Sequence, residues 1–127
     1  MRVIVALLAG VLSFNLANVA GTWTGEIKEA GQTESSPAYL QLQQEKDKVT
    51  GVTGPSKKIN FPIKNALLLE DHLTFSAHAV NPDDPNEGAD WTFDLKIAGD
   101  SMEGTAHAVN TSDKHSWDMT LKVSREK

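Results

Sequence analysis

From Val19 to Ser124 apolar and polar residues alternate with period two, and no stretch keeps the i, i+3, i+4 spacing of an amphipathic helix for three turns. That pattern commits the chain to strands with one dry and one wet side. Eight are expected, at 19–28, 36–44, 47–53, 58–64 with a kinked continuation through 66–69, 72–80, 90–97, 101–109 and 115–124. Turn signals separate them, among them Ala30-Gly31, Lys46-Asp47, Gly54-Pro55-Ser56, Asp71-His72, Gly99-Asp100 and Asn110-Thr111-Ser112-Asp113. All connections are short, so neighbours in sequence pair as antiparallel hairpins.

Alternation assigns the faces. Trp91, Phe93, Leu95 and Ile97 share one side of the sixth strand, opposed to Thr92, Asp94 and Lys96, and Trp117, Met119, Leu121 and Val123 share one side of the eighth. The same rule places Ile59, Phe61, Ile63 and Leu69 inward along the fourth. Eight strands with one apolar face and no helix to cover it hide that face by closing on themselves. Without the long crossovers of a Greek key, the expected fold is all-β, an eight-stranded antiparallel up-and-down β-barrel. A wet exterior excludes an outer-membrane barrel, whose lipid-facing side is apolar. Gly51 and Gly104 occupy equivalent places in two similar hairpins, Asp47-Lys-Val-Thr-Gly51 and Asp100-Ser-Met-Glu-Gly104, where a barrel needs a bend.

The N-terminus reads differently. Arg2 precedes the apolar run Val3–Leu12, too short to cross a bilayer and of the length of a secretory core region. Residues 1–20 are therefore expected to be a signal peptide, cut between 17 and 20, with one barrel domain over 21–127 and a secreted or periplasmic destination. Its removal takes only Arg2 from the 12 basic residues and none of the 17 acidic ones, leaving a mildly acidic chain. An acidic balance gives a nucleic-acid backbone nothing to bind, and the expected partners include neither nucleic acid nor a membrane span. The chain has no cysteine, so disulfides, thiolate chemistry and lipid attachment are absent. A monomer is expected.

Gly21-Thr22-Trp23 opens the first strand and Arg125 lies near the end of the last. Gly-x-Trp at the start of such a barrel, with an arginine at its end, resembles the lipocalin and calycin pattern, and the opening is similar to that of small bacterial secreted domains beginning Gly-Thr-Trp-x-Gly. The resemblance implies a lipocalin-like barrel closed at one end by Gly21, Trp23 and Arg125, the arginine packed across the indole. Strand directions place both termini and the loops at 45–47, 65–72 and 98–101 at that end. The loops at 29–35, 54–57, 81–89 and 110–114 surround the other.

The opposite, open end holds the candidate binding site. Ala77, Ala79, Ala106 and Ala108 are small inward residues, and Trp91 and Trp117 are large ones beside them. Either the indoles fill the volume that the alanines leave, giving a solid core, or the alanines leave a small apolar cup with indole walls. The first makes the chain a structural or protein-interaction barrel. The second makes it a binding module for a small hydrophobic molecule entering between the 29–35 and 81–89 loops.

Other constellations carry less. His78 and His107 fall on the wet face beside Thr92, two strands apart and about 9 to 10 Å from each other, long for one metal. His72 and His115 lie at turns without an evident partner. Asp83, Asp84, Asn86, Glu87 and Asp90 offer oxygen ligands in the 81–90 segment, without the spacing of an EF-hand, and read as a solvated acidic loop. No catalytic motif is present and no inward position holds a carboxylate or histidine, so neither an enzyme nor a cofactor is expected.

Overall fold

The computed structural model describes residues 17–81 and 83–127, and the charged start and apolar run of the expected leader lie outside the described residues. Eight strands follow in order: β1 Gly21–Glu29, β2 Ser36–Glu45, β3 Lys48–Gly54, β4 Phe61–Leu69, β5 His72–Asn81, β6 Asp84–Ala98, β7 Ser101–Asn110 and β8 Ser116–Arg125. Each pairs antiparallel with the next and β8 returns to β1, closing an up-and-down barrel. Period-two patterning achieves this because the residues facing inward, among them Leu40, Leu73, Phe75, Leu95 and Leu121, form one buried cluster.

Closure requires tight curvature at glycine. A Cβ on Gly51 would stand 1.9 Å from the Gln41 carbonyl oxygen, and one on Gly104 would stand 2.0 Å from that of Asp94. Gly51 also has φ +147, a backbone conformation that side chains avoid. At these two points neighbouring strands coil closer than any side chain permits.

The fourth strand departs from simple alternation. Lys64 pairs with Ser76 and Leu67 with Thr74, so Asn65 and Ala66 together oppose Phe75 in a bulge, with Asn65 at φ 54. The extra residue exchanges the two faces beyond it. Leu68 is buried, whereas Leu67 and Leu69 are 52% and 61% exposed, which corrects the inward assignment of Leu69. Ile59, also assigned inward, precedes β4 and is 44% exposed. β3 and β4 pair only at Val52–Pro62 and Thr53–Phe61. Pro62 has no N–H to donate, and this is the least paired seam of the barrel.

The β5–β6 hairpin is longer than alternation suggested. β6 begins at Asp84, with Val80 opposite Gly88 and Ala79 opposite Ala89, so most of the segment read as an acidic loop is strand. Its alternation is hidden by Pro85, Asn86, Glu87 and Gly88, which strand propensity disfavours.

Residues 17–20 belong to the closed end of the barrel. Val19 is fully buried and joins the core cluster, its N–H donating to Gln44 Oε1 at 2.7 Å and its carbonyl accepting from the Trp23 indole at 2.9 Å. Ala17 N donates to Glu70 O at 3.1 Å, and Gln44 Nε2 donates to Ala17 O at 3.1 Å. Residues 17–20 thus pack against the barrel whose first strand begins at Gly21.

Candidate functional site

The closed end is a rigid base. Trp23 pairs with Leu40 on one side and Arg125 on the other, so the arginine side chain starts from the same inner face as the indole. Its guanidinium lies 4.4 Å from the centroid of the Trp23 ring. Nε donates to Asp100 Oδ1 at 2.9 Å, Nη2 to Asn18 O at 2.7 Å, and Nη1 to Ala20 O. A flat cation over a buried indole thus ties β1, β8, the β6–β7 turn and the N-terminal segment together. Gly21 contributes its backbone, held at φ +132, a conformation that side chains rarely adopt.

At the open end the two expected arrangements of alanine and tryptophan coexist, one on each side. On the β6–β8 side Ala108 pairs with Trp91 and with Trp117, and the two indoles meet over it edge to face at 6.2 Å. Ala106 lies likewise between Phe93 and Met119. Both alanines are buried and the volume beside them is filled. His115, for which the sequence offered no partner, stacks on Trp117 at 5.7 Å.

On the β2–β5 side small residues meet small ones at two places. Gly25 pairs with Ala38 and Ala79 with Ala89, while Ala77 stands between Ile63 and Trp91. A cavity of about 250 Å³ lies here, lined by Ala38, Gly54, Ala77 and Ala79 and by the apolar walls Ile27, Phe61, Trp91, Phe93 and Leu121. Pro55 and Phe61 border it beside the sparsely paired β3–β4 seam. Of the candidates named from sequence, Trp91, Ala77 and Ala79 line this cavity. Trp117, Ala106 and Ala108 instead belong to the filled side.

Among the described residues nothing in the lining is charged, and its one hydroxyl is that of Thr53. Thr53 is 7% exposed, and its hydroxyl donates to the Tyr39 carbonyl at 3.3 Å. Sequence reasoning passed over Thr53 and Ala38 because the alternation was read for large residues; the small-residue run Gly51-Val-Thr-Gly54 was the available signal. Among the described residues none of the 29–35 or 81–89 segments lines the cavity, whose rim lies at Pro55 and Phe61. A second, more polar hollow lies on the exterior between Pro37, Gln41 and Lys57.

The exterior histidines pair with aspartates across strands. Nδ1 of His78 stands 2.7 Å from Asp90 Oδ1, and Nδ1 of His107 stands 2.7 Å from Asp118 Oδ1. His72, expected to be without a partner, pairs with Asp94. Thr92 opposes His107 as expected, but on its other side it faces Ser76 and not His78. All three pairs are exposed to water, where such contacts contribute little. Among the described residues no cluster of His, Asp and Glu has the arrangement of a metal site, and no helix is long and apolar enough to cross a membrane. Comparison with the models of known protein families, with curated proteins and with solved structures finds no match.

Proposed function

We propose that the chain is a lipocalin-like binding module that takes a small hydrophobic molecule into the open end of its barrel and performs no chemistry on it. The cavity of about 250 Å³, apolar and free of charged side chains, carries this reading. An apolar space left by small residues on a closed frame has little means of collapsing, because the flanking strands are fixed by their ladders. Trp91 in the wall reports occupancy. The test is its fluorescence across a panel of small apolar compounds, repeated on Trp91→Phe. Saturable quenching that disappears in the variant is expected, and no response from any compound overturns the reading.

Export completes the proposal, with a monomer acting outside the cytoplasm after loss of its leader. A cut after Ala17 is favoured over one after Ala20, because the later cut would remove buried Val19 and the carbonyl that accepts the Trp23 indole. The resemblance to small secreted bacterial domains supports the same destination. A second reading, a protein-interaction barrel, is favoured by Leu67 and Leu69, exposed together on the outer face of β4. Leu67→Ser with Leu69→Ser would abolish such an interaction and leave ligand binding unchanged.

A further inference from the structure

Resting on the reading of the cavity as a ligand site, we infer that its ligand is an uncharged aromatic molecule of one or two fused rings carrying an N–H or O–H donor, the chemistry of an indole or a phenol. Three observations define that class.

Size comes first. About 250 Å³ lies between the roughly 150 Å³ of an engineered cavity that takes up benzene and the roughly 300 Å³ at which ordinary ligand pockets begin. A steroid, a haem or a long acyl chain is too large, whereas one or two fused rings fill the space.

Charge and shape come second. An ion entering this cavity leaves water for a lining with no opposite charge to meet it, which burial penalises heavily. The walls are themselves aromatic: Trp91 and Phe93 stand nearly parallel at an interplanar angle of 17°, and Phe93 stacks on Phe75 at 4.6 Å. A flat ring extends this stack with offset or edge contacts.

Hydrogen bonding supplies the third restriction. A threonine hydroxyl has one proton and two lone pairs. Thr53 gives its proton to Tyr39 O, so what it retains for a ligand is acceptor capacity. A ligand donor completes the hydroxyl, whereas a ligand with only an acceptor leaves the Thr53 lone pair without a partner. Selectivity at Thr53 thus runs by the direction of one hydrogen bond.

The experiment compares indole with benzofuran, which keeps the fused rings and replaces N–H by an ether oxygen, in fluorescence titrations of the full chain, Thr53→Val and Thr53→Ser. Indole is expected to bind about tenfold more tightly than benzofuran. In Thr53→Val that ratio falls to about one with benzofuran affinity retained, and in Thr53→Ser it persists, which separates loss of the acceptor from misfolding. Equal binding of the two compounds to the native chain overturns the donor assignment while leaving the cavity a ligand site. If neither binds while other apolar compounds still quench Trp91, the class fails and the site stands; if no compound quenches Trp91, the site reading fails as well. Tight binding of indole-3-acetate relative to indole would overturn the exclusion of charge.

Discussion

Replacing Arg125 by alanine tests the closed end, on which the shape of the barrel depends. The stack of its guanidinium on buried Trp23 contributes about 1 kcal/mol at a partly desolvated site. The contact with exposed Asp100 adds less than about 1 kcal/mol. The two bonds to Asn18 O and Ala20 O are charge-assisted and contribute about 1.5 kcal/mol each at the lower end of their range. These contacts share one side chain and are not independent, so their combined loss is about 3 kcal/mol and not the simple total. In a domain of roughly this size 1 kcal/mol corresponds to about 4 °C, which sets the expected fall in melting temperature at about 12 °C. Thermal and urea unfolding followed by circular dichroism measure it. Arg125→Lys keeps the charge and loses the planar fork, and should recover about half. A loss below about 1 kcal/mol for Arg125→Ala would refute the argument that this residue holds the N-terminal segment to the barrel.

Four further outcomes follow from the same contacts. A chain beginning at Gly21 should melt well below one beginning at Asn18, by about 2 kcal/mol, since it lacks Val19 and the acceptor for the Trp23 indole; equal melting temperatures would remove residues 18–20 from the fold. Leu68→Ala should cost about 2 to 4 kcal/mol and Leu69→Ala less than about 0.5 kcal/mol in denaturant titrations, because the bulge at Asn65 and Ala66 turns the first inward and the second outward. Gly104→Ala forces a methyl against the Asp94 carbonyl, and urea titration should register a loss of about 2 kcal/mol or more. Asp118→Asn should change stability by less than about 1 kcal/mol, given the exposure of its pair with His107.

Alternation carried the barrel because each pairing it implied was local: short turns fix which strands meet, and the dry face fixes the register. It misplaced Leu69 at a bulge: the kink after Lys64 was legible, but not that one additional residue there reverses the faces beyond it. The long β5–β6 hairpin was hidden for a different reason. Its tip combines residues with poor strand propensity, and pairing of Asp84 and Gly88 with β5 outweighs that preference. The candidate site was half legible. Which alanines would have a large partner depends on cross-strand register, and a single strand does not contain that information. Ala108 falls between two tryptophans and is covered, whereas Ala38 and Ala79 pair with Gly25 and Ala89, which supply no bulk.

The central claim is that this unfilled side is a place for a ligand, and calorimetric titration of indole into the full chain and into Ala79→Phe tests it most directly. Ala79 lies in the cavity wall, and a phenyl group there occupies the space without touching the closed end. Saturable one-to-one binding to the native chain, lost in Ala79→Phe at an unchanged melting temperature, is the predicted result. The absence of saturable binding to the native chain, or equal binding to both proteins, would contradict it.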